Sequence, residues 1–210
     1  MRRTTTLLLV LLCALWGVSS ADAQDMQTLF DGDVTHGGFG GPVIKFSEVA
    51  GDPGVWVGGR GGWIINFSET HAIGLGGGGY GLTTFHNIPE PTDLGDPGDI
   101  ENPQAVAGYG GFELEYTSRS YRLLHWTATT LIGAGSVSAR SQDFQQIDED
   151  FDPFFVIEPG LHGELNLTSF MRLHAGVSYR WTSGIDQAGF TDSDFSGING
   201  TVAFKFGSFL

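Results

Sequence analysis

The sequence is poor in cysteine and in basic residues, and it has no long apolar run after residue 23. Its single cysteine, Cys13, lies before that point, so the rest of the chain has neither a disulfide framework nor a thiolate metal site. Lys and Arg number 10 against 24 Asp and Glu, a formal net charge of −14, which argues against a nucleic-acid partner because phosphates need basic patches. No later segment approaches the ~18 consecutive apolar residues of a membrane helix.

Residues 1–23 have the organisation of a secretory signal peptide. Arg2 and Arg3 give a positive start, an apolar stretch follows, and Ala21-Asp22-Ala23 supplies the small-x-small pattern of a cleavage site. We therefore expect an exported protein. The remaining chain divides into a short N-terminal segment, residues 24–34, and one domain, residues 35–210.

That domain alternates apolar and polar residues over eight segments, each long enough for a tilted transmembrane strand. Helical periodicity is absent from it. The pattern predicts an all-β fold, an antiparallel up-and-down transmembrane β-barrel of about eight strands. The predicted strands are Gly37–Phe46, Val55–Asn66, Ala72–Phe85, Ala107–Tyr116, Leu123–Val137, Phe154–Asn166, Phe170–Trp181 and Phe195–Gly207.

The connections between these segments alternate in length. Every second connection is short, and the others are longer and carry most of the acidic residues. The first of the longer set, Ser47–Gly54, is predicted to be of intermediate length. The long ones are predicted at His86–Val106, Ser138–Pro153 and Thr182–Asp194. Short turns at one end and long loops at the other are typical of outer-membrane barrels.

Charged residues indicate which face of each strand is inward. Along the seventh segment the charged residues share one parity and the apolar residues share the other. An Arg that faces lipid at the bilayer midplane costs roughly 2–4 kcal/mol, so the charged parity must face the lumen. The same rule, applied to every segment, predicts a lumenal charge network of Lys45, Arg60, Glu113, Glu115, Glu158, His162, Glu164, Arg172, His174, Arg180 and Lys205. Its nearly balanced charge is what a lumen plugged by paired side chains requires.

The hairpin between the sixth and seventh segments gives the most specific expectation. With its centre at Thr168, His162 opposes His174 and Glu164 opposes Arg172. The simpler interpretation of the two histidines is a hydrogen-bonded lumenal network, and the alternative is a metal-binding or proton-responsive site. Two histidines alone rarely complete a metal shell.

From Thr35 to Leu210 the chain resembles the small eight-stranded outer-membrane β-barrels of Gram-negative bacteria. Its last strand is similar to the signal that the barrel assembly machinery recognises, with Asn199, Phe204 and Phe206 in place and the glycine one position early at Gly200. The resemblance implies an outer-membrane location, extracellular long loops and periplasmic termini. It also implies outer-membrane lipid, lipopolysaccharide and the assembly machinery as partners.

Two further motifs have simple interpretations. Gly74-x-Gly76-x-x-Gly79 matches a dinucleotide fingerprint, but a strand follows it where that motif needs a helix. Asp148, Asp150 and Asp152 alternate as in a calcium loop but lack its glycine. We interpret them as a solvated acidic loop, with divalent-cation binding as the alternative.

We therefore expect a non-enzymatic outer-membrane barrel with a plugged polar lumen, in a structural or surface-interaction role, without metal or cofactor. One alternative is binding or passage of a small apolar molecule at the extracellular mouth, where four phenylalanines gather: Phe144, Phe151, Phe154 and Phe190. The other is a lipid-modifying enzyme, although the sequence has no His-x-Ser pair. No catalytic residue is assigned.

Overall fold

A computed structural model describes residues 34–87, 104–140, 151–186 and 190–209. Eight antiparallel strands in chain order close into a barrel, which confirms the predicted fold class. The predicted signal peptide and the segment 24–33 lie outside the described residues. The strands are β1 Thr35–Val49, β2 Asp52–Asn66, β3 His71–Leu82, β4 Gln104–Ser118, β5 Leu124–Arg140, β6 Asp152–Asn166, β7 Met171–Ser183 and β8 Gly197–Ser208.

The two ends of the barrel differ in their connections. At one end, here called the turn end, short turns join β2 to β3, β4 to β5 and β6 to β7. At the other, the loop end, lie the β1–β2 turn and three longer connections. The connection between β7 and β8 contains a short helix, α1 (Asp192–Phe195). The sequence predicted no helix here and began the last strand at Phe195, so that boundary was wrong.

The first connection at the loop end is also shorter than predicted. β1 and β2 stay paired as far as Val49 opposite Asp52, which leaves a two-residue turn of Ala50 and Gly51. Both residues have positive φ, 51° and 83°, as in the type I′ hairpin turn whose twist matches the strands. The predicted connection, Ser47–Gly54, was therefore too long. Residues 52–55 at the start of β2 lie on a sheet edge, because β3 pairs with β2 only from Trp56 onward. An edge tolerates proline.

Two other prolines interrupt the sheet locally. Pairing between β1 and β8 skips Pro42, and pairing between β6 and β7 skips Pro159. The register on either side of each gap is unchanged, so neither proline creates a bulge. Each opposite ladder is continuous, and the barrel therefore closes despite the missing N–H groups.

The two faces of the sheet have opposite character. Large apolar residues along the outer face are exposed, including Ile44, Val57, Phe112, Leu114, Ile132, Leu161, Val177, Val202, Phe204 and Phe206. Inward side chains are buried and mostly polar between the ends. Glycines make room where the wall curves tightly. At Gly58, for example, a Cβ would collide with the carbonyl oxygen of Gly79 and lie 2.8 Å from the ring of Tyr80.

Candidate functional site

The structure buries the whole predicted charge network inside the barrel. Every one of its residues, from Lys45 to Lys205, is at most 7% exposed. Because alternate residues of a strand face opposite sides, the flanking apolar residues point outward. Asn199 of the predicted assembly signal is fully buried, whereas Phe204 and Phe206 are outward and about two-fifths exposed, at 41% and 42%.

Glu164 on β6 is the most connected member of the network. Its Oε1 lies 2.6 Å from Lys205 Nζ and 3.0 Å from His174 Nδ1. Its Oε2 lies 3.1 Å from His125 Nε2 and 3.4 Å from Arg172 Nη1. The carboxylate thus accepts four hydrogen bonds while it is completely buried, which is the condition for holding a charge away from water.

The β6–β7 register differs by two residues from the predicted one. Glu164 is opposite His174, and Asn166 is opposite Arg172, so the hairpin is centred on Ser169 rather than Thr168. A shift of two preserves the face of every side chain. For that reason Glu164 still reaches Arg172, now along a diagonal.

His174 connects two charged groups in a defined protonation state. Arg60 Nη1 lies 3.3 Å from His174 Nε2. A guanidinium can only donate, so Nε2 accepts and Nδ1 donates to Glu164. His174 is therefore the neutral Nδ1–H tautomer. The ring of His162 stacks on it at 4.2 Å between centroids.

Arg60 and Lys205 join this hub to a second pair of carboxylates. Arg60 forms ion pairs with both Glu113 and Glu115. Lys205 Nζ lies 2.6 Å from Glu115 Oε1 as well as 2.6 Å from Glu164 Oε1. Lys205 is on β8, and Glu115 is on β4, four strands away around the barrel. The Lys205–Glu115 ion pair therefore crosses the width of the lumen.

A second group of polar side chains lies nearer the loop end. Lys45 Nζ lies 2.8 Å from Glu158 Oε1 and sits over the ring of Tyr80 at 3.6 Å from its centroid. Tyr109 and Ser178 donate to Glu158 at 2.6 and 2.5 Å. Glu158 is therefore neutralised by one cation and fixed by two hydroxyls.

Arg180 differs from the other lumenal cations because it has no carboxylate partner among the described residues. Its Nε donates to the carbonyl of Phe195 at 2.6 Å, and its guanidinium lies 4.3 Å from the Trp56 ring centroid. Aromatic contacts of this kind stabilise a desolvated cation. The contact with Phe195 also fixes α1 across the mouth of the barrel.

An aromatic cluster lies at the loop end next to Arg180. Phe195 is fully buried and packs against Trp56, Phe154 and Phe190, with ring centroids 5.4–6.5 Å apart. Phe154 and Phe190, two of the phenylalanines predicted at the mouth, are 3% and 2% exposed. Phe151 is 61% exposed, and Phe144 lies outside the described residues. The acids Asp148 and Asp150 also lie outside them.

Sequence reasoning missed two members of the network, His125 and Tyr109. Both ring nitrogens of His125 face acceptors, the Arg122 carbonyl at 3.1 Å and Glu164 Oε2 at 3.1 Å. The alternation of His125 with the outward Trp126 was the available clue. Tyr109 stands between glycines, which give no alternation of polar and apolar residues to show which way its side chain faces.

The hydroxyl–imidazole contact that bears most on the enzyme alternative is between Thr84 and His86, with Oγ1 and Nε2 2.8 Å apart. The Thr84 hydroxyl also accepts a bond from the Val55 N–H. Among the described residues His86 Nδ1 has no hydrogen-bond partner, so none of them supplies the third group that orients the ring in a catalytic triad. Burial lowers the pKa of His86, while Asp52 partly offsets that effect.

Within the described residues, no group of three or more His, Cys, Asp or Glu is placed to hold a metal ion. No helix among them is long and apolar enough to cross a membrane. At the turn end, a depression of about 610 Å³ is lined by residues of two turns and the end of β8. Phe209 covers Arg172 there, 3.8 Å from ring centroid to guanidinium carbon.

No protein-family model matches the chain, and no curated protein matches it in sequence. Among solved structures it is similar to Neisserial surface protein A, with 7% identity over 84% of this chain and 99% of that one and a TM-score of 0.47. It is also similar to Ail of Yersinia pestis (12% identity, 82% and 97% covered, TM-score 0.45) and to the N-terminal β-barrel domain of Pseudomonas aeruginosa OprF (10% identity, 82% and 96% covered, TM-score 0.43). Its closed eight-stranded sheet gives the chain the architecture of the small outer-membrane β-barrels.

Proposed function

We propose that this protein is a non-enzymatic outer-membrane β-barrel with a plugged polar lumen, in a structural or surface-interaction role. One observation carries the proposal: the barrel is apolar outside and charged inside. A water-soluble barrel that binds a ligand in its interior requires the reverse arrangement, an apolar lumen and a polar exterior. An exposed apolar face of this extent needs a lipid or protein cover.

The packing of the interior supports the plug. An eight-stranded barrel is only wide enough for side chains or one small ligand. Here cations and carboxylates pair across the lumen, and the Phe195 cluster covers them at the loop end. A closed interior favours an anchoring or surface-contact role over general diffusion of solutes.

The loop end carries the acidic character expected of the extracellular side. Its described acids belong to the strand ends and to the β7–β8 connection: Glu48, Asp52, Asp152, Asp186, Asp192 and Asp194. With this end outside the cell, the termini of the barrel face the periplasm. Lipopolysaccharide is then the neighbouring surface, and divalent cations are the natural bridge between its phosphates and these carboxylates.

The two alternatives have weaker support. A small apolar molecule at the mouth would have to displace Phe154 and Phe190 from their buried contacts with Phe195. A lipid-modifying enzyme would need a base oriented by a third group, and the Thr84–His86 contact lacks one.

Two arginine substitutions on β8 test the proposal. Val202 is outward at mid-strand, opposite Ile44 and Ala175, whereas Ser208 is the outward last residue of the strand. In a bilayer, Val202→Arg should cost roughly 2–4 kcal/mol and Ser208→Arg about 0–1 kcal/mol. Folding into lipid vesicles, followed by heat-modifiable gel migration, measures both.

The proposal requires that Val202→Arg lowers the folded fraction well below that of Ser208→Arg. Equal folding of the two variants in vesicles would contradict it. Recovery of the wild-type protein as a stable, soluble barrel without detergent would contradict it independently.

A further inference from the structure

A small cavity of about 20 Å³ lies between the two polar groups of the lumen. Its lining includes Lys45 and Glu158 from the group nearer the loop end, and Arg60 and Glu113 from the group around Glu164. His162 also lines it. The cavity therefore lies at the junction between the two groups.

His162 is the least satisfied polar side chain at this junction. It is 5% exposed, and its Nδ1 has no hydrogen-bond partner among the described residues. Its contact with His174 is ring stacking, which does not involve Nδ1 in a hydrogen bond. Gly160 and Gly176 leave room for the ring, because a Cβ at either position would lie 2.6 or 2.8 Å from it.

Two other unpartnered buried atoms belong to the lining of the same cavity, Thr201 Oγ1 and Arg60 Nε. Buried polar groups in folded proteins are almost always hydrogen-bonded, to protein or to ordered water. A water molecule needs roughly 10–15 Å³ of accessible volume and 2–4 polar partners. The cavity is large enough for one water molecule. The unpartnered atoms of His162, Thr201 and Arg60 are the polar partners that its lining residues offer.

We propose that one ordered water molecule binds in this cavity, hydrogen-bonded to His162 and Thr201. It supplies the hydrogen-bond partner that these two buried atoms lack, at the junction of the Lys45–Glu158 and Arg60–Glu113 groups. An ion is the wrong occupant. The two cations and two carboxylates of the lining already pair with one another, Lys45 with Glu158 and Arg60 with Glu113. The site depends on the interior alone and holds whether or not the barrel resides in a membrane.

Water-to-protein magnetisation transfer in NMR of the purified protein in detergent tests the site. Val43 is fully buried and lines the cavity, so Val43→Ile should fill the space and displace the water. Val57 is 44% exposed on the outer face, and Val57→Ile is the matched control. Thr201→Val removes one hydrogen-bond partner with little change of shape.

We expect a long-lived water signal at His162 in the wild type and in Val57→Ile. The signal should disappear in Val43→Ile and weaken in Thr201→Val. A wild-type protein without this signal, or a Thr201→Val protein with an unchanged one, overturns the proposal. A crystal structure gives the same decision, with a density peak within hydrogen-bond distance of His162 and Thr201 or an empty cavity.

Discussion

Replacing Glu164 by glutamine perturbs the lumenal network at its most connected point. The side chain keeps its size and one acceptor oxygen, but the negative charge is lost. Lys205 then depends on Glu115 alone, at 2.6 Å. Arg172 retains the Ser120 carbonyl at 3.3 Å and the Phe209 ring at 3.8 Å, and His125 Nε2 loses its carboxylate partner.

The expected cost follows from the burial of these groups. Glu164 and Lys205 are completely buried, and Arg172 is 3% exposed. Removing one partner of a buried ion pair leaves an uncompensated charge, and this typically costs about 3–5 kcal/mol. Since Lys205 keeps one carboxylate, we expect Glu164→Gln to lower the free energy of unfolding by an amount within that range rather than above it.

Reversible denaturant unfolding in vesicles or detergent, followed by tryptophan fluorescence, gives the magnitude. Glu69→Gln is the matched control, because Glu69 is an exposed residue of the β2–β3 turn. Surface substitutions of this kind usually change stability by less than about 0.5 kcal/mol.

A double-mutant cycle with Arg172→Met separates pairing from general damage. Because Glu164 and Arg172 share a contact at 3.4 Å, the double variant should cost less than the sum of the single variants, by about 0.5–3 kcal/mol. An additive cycle, or a Glu164→Gln protein as stable as the Glu69→Gln control, would refute the network as described.

Three further substitutions test other parts of the structure. Gly58→Ala should abolish heat-modifiable folding, because the added Cβ would collide with the neighbouring strand. Gly79→Ala should fold normally, because its Cβ has open space. Equal folding of the two variants would contradict the close approach of the strands at Gly58. Phe195→Ala should cost about 3–5 kcal/mol and increase proteolysis between β7 and β8, and unchanged proteolysis would contradict the cap. Burial lowers the pKa of His86, so its neutral form stabilises the fold above pH 6.5 and this contribution is lost as pH falls toward the lowered value. The protection factor of the Ala105 amide, whose N–H donates to the His86 carbonyl, should fall on acidification in the wild type but not in His86→Gln.

The inward and outward faces of the strands could be predicted from the sequence because the evidence for each face lies within the strand itself. A charged residue such as Arg172 or Lys205 cannot face lipid, and the period of two then assigns every neighbour. The register could not be predicted in the same way. A shift by two leaves every face unchanged, so the parity of Glu164 and Arg172 carries no information about it. The turn at Ser169 sets the register, and the alternation of polar and apolar residues does not predict the geometry of that turn.

The loop end was predicted least well, for a related reason. Pro53-Gly54 indicates a loop by composition, but there β2 extends past β3, and an edge accommodates both residues. The helix α1 has only four residues, which is too few for periodicity to appear. Its position depends on Arg180 and on the buried ring of Phe195, contacts between residues distant in the sequence.

Single-channel recording from purified protein in planar bilayers tests the plugged lumen most directly. With Lys205, Arg60 and their carboxylates paired across the interior, and Phe195 closing the loop end, the account predicts little or no steady conductance. Isolated cavities such as the one at His162 hold single waters and do not form a continuous column. Large, ohmic channels whose conductance rises in proportion to salt would contradict the plugged lumen and identify the protein as a pore.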